Sequence, residues 1–161
     1  MLQRPRRIRE HATLRKMVRE TRISKQALIQ PLFIREGTNI VEEIKSMEGQ
    51  KRYSADKVLF RVEELLEKGV SSVILFGIPN KKDALASMAY DEKGVVQQAV
   101  RKIKSNFPEM FVMTDVCLCE YSENGQCGLV ENNRIENDKT LDVLAKIAVS
   151  HAEAGSNMIA P

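Results

Sequence analysis

Long hydrophobic runs are missing from this sequence of 161 residues. The most apolar runs, such as VILFGI, are far shorter than the roughly 20 residues needed to cross a bilayer. No apolar stretch follows the basic N-terminus MLQRPRRIRE, which therefore does not resemble a secretory signal. Tryptophan is absent, yet 43% hydrophobic and 29% charged residues are typical of a folded globular protein. We therefore expect a cytoplasmic protein without a membrane partner.

Aromatic residues are also missing from residues 1–22, where positive charge is concentrated. The basic residues of this segment are Arg4, Arg6, Arg7, Arg9, Arg15, Lys16, Arg19 and Arg22. A basic arm can contact phosphates, but without aromatic side chains for stacking and without a reading motif we expect no nucleic-acid partner. Residues 1–22 are predicted to be a basic N-terminal arm with a short helix, either solvated or in contact with another subunit.

Downstream of the arm, short apolar runs alternate with helical patterns. Strands are predicted at 27–34, 71–78, 110–116 and 157–161. Helices are predicted at 54–68, at 93–106 and from Asn137 or Asp138 to Gly155, the first capped by Ser54 and ended by Gly69. The last helix is expected to bury a stripe that consists of Leu141, Leu144, Ala145, Ala148 and Ala152. This order of strands and helices predicts an α/β fold with a parallel sheet.

The C-terminal sequence NMIAP reads as an apolar strand that no helix follows. A (β/α)₈ barrel needs about 250 residues and eight strands, whereas only about four strands are predicted here. Residues 23–161 are therefore expected to form the N-terminal portion of a TIM barrel, apparently truncated.

Cysteine is scarce, and all three cysteines lie in the segment TDVCLCEYSENGQCGLVENN, named here the cysteine loop (residues 114–133). Cys117, Cys119 and Cys127 follow a predicted strand, at the end of a parallel sheet where α/β folds carry their sites. Their spacing allows three thiolates to bind one zinc ion, and three protein ligands leave an open position, as in catalytic zinc sites.

Other interpretations of the cysteine loop remain open. The thiols could be inert small hydrophobic groups, or a disulfide could leave one thiol over. A reactive nucleophile would need a base, yet His11 and His151 both lie outside the loop. Asp115 could orient a substrate or serve as an acid or base, or it could cap the loop by bonding backbone amides.

Segments along the whole chain resemble the porphobilinogen synthase family, whose members are also called δ-aminolevulinic acid dehydratases. They are DVCLCEY and GQCG in the cysteine loop, RPRRIRE, MVRET, LIQPLFIREG, LFGIP, KDALASMAY and ENDKTLDVLAKIAVSHAEAGSNMIAP. The resemblance implies a TIM barrel whose arm holds a neighbouring subunit, usually within a homo-octamer. It also implies a lyase that condenses two 5-aminolevulinate molecules to porphobilinogen with loss of water, in porphyrin and heme biosynthesis.

The resemblance also assigns residues of the cysteine loop. Cys117, Cys119 and Cys127 match the family's zinc ligands, and Asp115 matches its active-site aspartate. The zinc ion would help to bind and polarise the second substrate molecule. Mg²⁺ is a possible further cofactor.

Three departures from the family pattern limit these expectations. Asn124 and Gln126 stand where the family has histidines, and Glu48 replaces a proline. The family's two lysines that form Schiff bases with substrate have no match in this chain; Lys81, Lys82, Lys102 and Lys104 are expected to be solvated. The chain alone is therefore expected to be inactive. The alternative is a non-catalytic zinc-binding half-barrel subunit that oligomerises through its arm.

Overall fold

A computed structural model describes residues 6–161, so the beginning of the predicted arm, including Arg4, lies outside the described residues. Two short helices, α1 (Arg7–Glu10) and α2 (Ala12–Val18), occupy the described part of the arm. The imidazole of His11 begins α2 by accepting a hydrogen bond from the Thr13 amide at 3.1 Å. Neither helix contains a buried residue, and Met17 is 66% exposed. These helices therefore add nothing to the core.

The strands form one large sheet and one small hairpin. In chain order they are β1 (Gln30–Arg35), β2 (Val41–Glu43), β3 (Lys51–Tyr53), β4 (Ser72–Ile78), β5 (Phe111–Asp115), β6 (Val130–Glu131), β7 (Arg134–Ile135) and β8 (Met158–Ala160). The large sheet has the order β2-β3-β1-β4-β5-β8, and β6 pairs with β7. Only β2 is antiparallel to its neighbour in the large sheet.

Three longer helices connect the parallel strands. They are α3 (Val58–Glu67), α4 (Val95–Asn106) and α5 (Asn137–Glu153). They precede β4, β5 and β8 respectively, so these three strands are each reached through a helix and follow β1 side by side in chain order. This arrangement confirms the predicted α/β fold with a parallel sheet. No helix within residues 6–161 combines the length and the apolar character needed to cross a membrane.

The two faces of the sheet are covered differently. Val73 and Leu75 of β4 are fully buried in the core to which α3, α4 and α5 contribute. Residues on the opposite face, such as Phe76 and Met113, are only half-buried. Phe76 stacks on Phe33 with ring centroids 5.6 Å apart. Side chains alternate between faces along a strand, so the helices bury one face and leave the other open.

Two local predictions about the helices are wrong. The hydroxyl of Ser54 accepts a hydrogen bond from the Ile40 amide at 2.9 Å, and α3 begins only at Val58 without a side-chain cap. On α5, Leu141 of the predicted stripe is 62% exposed, whereas Val143 and Ile147 are buried. The predicted stop is confirmed, because Gly69 adopts φ +80°, which allows the following Val70 amide to bond back to the Leu65 carbonyl at 2.9 Å.

Candidate metal centre

The structure brings the three sulfur atoms of the cysteine loop together. The Sγ atoms of Cys117, Cys119 and Cys127 all lie within 4.8 Å of one another, and those of Cys117 and Cys119 are 3.3 Å apart. Zinc–sulfur bonds of about 2.3 Å in tetrahedral geometry separate two sulfurs by about 3.8 Å. The three thiols thus fit around one ion with small adjustments.

The pKa values of two of the three thiols, Cys119 and Cys127, are raised. Burial, followed by the contact with Cys117, raises the pKa of the Cys119 thiol to about 12. The contact with Cys117 also raises the pKa of the exposed Cys127 thiol. A raised pKa disfavours a nucleophilic cysteine, whose thiolate must be present near neutral pH. A bound cation would reverse this effect, because it stabilises the thiolates and displaces their protons.

Asp115 is the last residue of β5 and lies two residues before Cys117. Its side chain is half-buried on the face of the sheet that the helices leave open. Burial raises the pKa of its carboxyl group. The carboxylate makes no hydrogen bond within residues 6–161, so the structure gives no support to the capping role that the sequence left open.

Glu120 is a second acidic residue of this region. Its Oε2 atom accepts a hydrogen bond from the Gly77 amide of β4 at 2.9 Å. Burial and the neighbouring Asp115 carboxylate raise the pKa of Glu120 to about 7, although the Gly77 amide and Lys82 act in the opposite direction. A carboxyl group with this pKa is present in both protonation states near neutral pH.

Tyr121 packs against the same point of β4. The ring is 3% exposed, and a Cβ atom on Gly77 would overlap Tyr121 Oη and approach its Cζ to 2.8 Å and Val96 Cγ2 to 2.9 Å. Burial raises the pKa of the Tyr121 hydroxyl. Only glycine therefore permits this approach of the cysteine loop to β4.

The segment between β4 and α4 holds the cysteine loop from its other side. The Asp83 amide donates to the Tyr121 carbonyl at 3.2 Å, and the Glu123 amide donates to the Asp83 carbonyl at 3.3 Å. The Asp83 carboxylate accepts hydrogen bonds from the amides of Leu85 and Ser87 and from the Ser87 hydroxyl. The carboxylate thus fixes the segment on which the loop rests.

Asn124 and Gln126 shape the turn that leads to Cys127. Asn124 Oδ1 accepts hydrogen bonds from the Gln126 amide and the Ser122 hydroxyl, both at 3.0 Å. Ser122 is itself buried, at 1% exposure. A short amide side chain that bonds the backbone two residues ahead forms an Asx turn. Asn124 therefore orders the turn without reaching outside the loop.

The structure places the remaining candidate residues elsewhere. His151 is fully buried on α5, neither ring nitrogen has a partner within the described residues, and burial lowers its pKa to about 4. Lys81, Lys82 and Lys102 are exposed, as expected. For Lys104 the expectation is wrong, because its ammonium group donates to the carbonyls of Pro108 and Met110 and to Asn157 Oδ1. It stabilises the turn before β5.

Sequence reasoning did not identify Glu120, Gly77 or Asp83 as parts of this site. A glycine inside an apolar strand run is a known sign of close backbone approach, so LFGIP contained a signal for Gly77. The pairing of Gly77 with Glu120 spans 43 positions of the chain. No local pattern predicts a contact at that separation.

Comparison with known sequences indicates one family for this chain. A family model described as "Delta-aminolevulinic acid dehydratase" matches residues 2–161. A delta-aminolevulinic acid dehydratase of Ruminiclostridium josui is 53% identical over 161 residues, which is 100% of this chain and 78% of the relative. The protein of that name from Methanothermus sociabilis is 48% identical over 158 residues, which is 98% of this chain and 49% of the relative. The chain thus spans about half the length of the second relative.

A solved structure has the same fold over nearly the whole chain. It is the crystal structure of delta-aminolevulinic acid dehydratase (porphobilinogen synthase) from Toxoplasma gondii ME49 in complex with the reaction product porphobilinogen. The TM-score is 0.93 at 32% sequence identity, and the match covers 99% of this chain and 46% of that chain. The resemblance found in the sequence is confirmed: the chain belongs to the delta-aminolevulinic acid dehydratase family.

Proposed function

We propose that this chain carries part of the active site of a porphobilinogen synthase, a lyase that condenses two 5-aminolevulinate molecules to porphobilinogen with loss of water. The reaction belongs to porphyrin and heme biosynthesis. The observation that carries the proposal is the cluster of three sulfurs at the carboxyl end of β5, in a chain of this family. Asp115 ends the same strand.

The donor set suits zinc. Cys117, Cys119 and Cys127 would hold the ion, because soft thiolates favour it over hard cations such as Mg²⁺. Three protein ligands leave one position for water or substrate, where the bound ion supplies Lewis-acid polarisation of a substrate oxygen.

Asp115 is the catalytic residue that we propose within this chain. Its carboxylate lies on the open face of the sheet and has no hydrogen-bond partner within residues 6–161, so it is free to accept a proton or to orient a substrate amine. Its raised pKa favours proton transfer at neutral pH more than an ordinary aspartate would.

We infer that the sheet is the N-terminal portion of a TIM barrel, with residues 1–22 as the arm before it. Successive parallel strands joined by helices support this inference. In a barrel, the open face of this sheet, with Phe33 and Phe76, would line the interior.

The assembly expected from the family is a homo-oligomer, up to an octamer, in which the arm contacts a neighbour. Exposed apolar side chains on the arm, among them Ile8, Met17 and Val18, support such a contact. The cytoplasmic location and a second site for Mg²⁺ stay predictions.

Metal analysis tests the proposal most directly. We expect the purified chain to bind one Zn²⁺ and Cys119→Ser to weaken that binding strongly, because one of three thiolates is lost. Glu123→Gln is the matched control, since it changes an exposed side chain of the same loop without removing a sulfur. Equal zinc content in the wild-type chain and Cys119→Ser would refute the site.

Substrate binding separates the enzyme from the non-catalytic alternative. We expect the zinc-loaded chain to bind 5-aminolevulinate in calorimetry, more weakly after Asp115→Asn, but not to turn it over, because no lysine here matches the family's Schiff-base positions. Turnover by the chain alone would contradict the predicted inactivity. Zinc binding without any affinity for 5-aminolevulinate would favour a zinc-binding subunit that oligomerises through its arm.

A further inference from the structure

The end of β4 extends beyond the strand beside it. Leu75 is the last residue of β4 in register with β5, where it pairs with Thr114. The Phe111 amide donates to the Ser71 carbonyl, so the odd-numbered residues of this strand direct their amides and carbonyls toward β5. The Gly77 amide therefore points to the β5 side, beyond the last residue pair that the two strands form.

In a continued parallel ladder the Gly77 amide would donate to the carbonyl of Asp115, the last residue of β5. The register between the two strands stops at Leu75 and Thr114, before that bond. An amide at this depth needs a partner, since an unpaired one costs free energy. Glu120 Oε2 supplies it at 2.9 Å. A side chain of the cysteine loop thus takes the place of a backbone acceptor on β5.

We propose that Glu120 is a positioning residue that holds the sulfur cluster against the end of β4. Cys119 directly precedes Glu120, so a fixed Glu120 carboxylate fixes the backbone that carries the middle sulfur. On the other side of the loop, Asp83 bonds the backbone at Tyr121 and Glu123. The bonds at Asp83 join backbone groups, whereas the bond at Glu120 depends on a side chain of the loop.

This role rests on the proposed metal site and predicts a measurable effect on metal affinity. Groups that orient metal ligands without touching the metal typically change affinity by about 10-fold to 100-fold when they are removed. Loss of the bond to Gly77 would leave Cys119 free to move relative to the other two sulfurs. The ligand cluster would then have to be ordered again each time a metal binds.

Two substitutions separate the hydrogen bond from the negative charge. Glu120→Gln keeps an oxygen acceptor but removes the charge, whereas Glu120→Met keeps the approximate volume and removes both. Co²⁺ is the probe, because its thiolate charge-transfer absorption reports the sulfur ligands directly. Glu123→Gln is again the control, since it removes a charge from an exposed position of the same loop.

The expected result is a Co²⁺ affinity within about 3-fold of wild type for Glu120→Gln and at least about 10-fold weaker for Glu120→Met, with the control unchanged. Equal weakening in the two Glu120 variants would assign the effect to charge and overturn the proposal, as would an unchanged Glu120→Met. Absence of Co²⁺–thiolate absorption from the wild-type chain would refute the metal site itself, and this role with it.

Amide exchange on the wild-type chain keeps the test independent of whether Glu120→Met folds. The Gly77 amide should exchange slowly in the wild-type chain and in Glu120→Gln, because both provide an acceptor. Rapid exchange of that amide in the metal-free wild-type chain would overturn the proposal.

Discussion

The contact between Gly77 and Tyr121 allows a quantitative test of how the cysteine loop packs on β4. In Gly77→Ala, the added methyl group overlaps Tyr121 Oη and comes within 2.8 Å of Cζ and 2.9 Å of Val96 Cγ2. Both neighbouring side chains are buried, so the methyl group cannot be accommodated without movement of the loop or of α4. Overpacking of this kind typically costs about 1–3 kcal/mol.

A double-mutant cycle shows whether Tyr121 is the cause of that cost. Tyr121→Phe removes the oxygen, so that the nearest ring atom to the new methyl group is Cζ at 2.8 Å, still close but no longer overlapping as deeply. We therefore expect the cost of Gly77→Ala to fall by about 1 kcal/mol in the Tyr121→Phe background, within the range found for residues in direct contact. Tyr121→Phe alone should have a small effect, because Tyr121 Oη has no hydrogen-bond partner within residues 6–161.

Urea denaturation of the four chains of this cycle, at one pH and without metal, measures the required free energies of unfolding. Ser72→Ala is the matched control, because it introduces alanine on the same strand away from Tyr121. The reasoning would be refuted by a cost of Gly77→Ala below about 0.5 kcal/mol, or by one that is the same with tyrosine and with phenylalanine at position 121.

Two further predictions concern buried polar groups of α5. Burial lowers the pKa of His151 from 6.5 to about 4, so the unfolded chain takes up a proton there before the folded chain does. The free energy of unfolding should therefore fall by up to about 3 kcal/mol as the pH drops from 6.5 toward 4. In His151→Leu the free energy of unfolding should depend less on pH over this range. The same pH dependence in the wild-type chain and in His151→Leu would contradict this explanation. Thr140 Oγ1 accepts the Leu129 amide at 3.0 Å and donates to the Glu136 carbonyl at 2.6 Å. Thr140→Val should lower the free energy of unfolding in urea by about 1–3 kcal/mol and speed exchange of the Leu129 amide. Thr140→Ser keeps the hydroxyl and should do neither. Equal free energies of unfolding for the two variants would count against the hydrogen bond.

The order of strands and helices could be predicted because each apolar run is short and ends at glycine, proline or a polar stretch. The predicted strand 71–78 corresponds to β4, and the predicted helix 93–106 corresponds to α4. The short strands β2 and β3 were missed, since three half-exposed residues give no usable periodicity. The position of β3 is determined by its pairing with β1, which is a tertiary contact, and β2 pairs in turn with β3.

The buried face of α5 shows where hydropathy misleads. The leucine and alanine residues of α5 predicted one buried face, but the helix buries a neighbouring face instead. That face includes Thr140, Ser150 and His151. Thr140 and Ser150 can be buried because residues far along the chain satisfy them. Gln97 Nε2 donates to Ser150 Oγ at 2.9 Å, and the Leu129 amide donates to Thr140 Oγ1. Partners of that kind do not appear in a hydropathy pattern.

The candidate site divides in the same way into a local and a non-local part. The spacing of Cys117, Cys119 and Cys127 determines which atoms can meet, and the structure brings those atoms together as expected. The relative position of the three sulfur atoms also depends on β4 and the segment after it, because Gly77 and Asp83 bond the cysteine loop. At the proposed metal site, a change on β4 alone should therefore lower metal affinity even when all three cysteines are kept. The affinity should consequently respond to the stability of the β4 end, which the Gly77 variant perturbs by overpacking and the Glu120 variants perturb through a hydrogen bond.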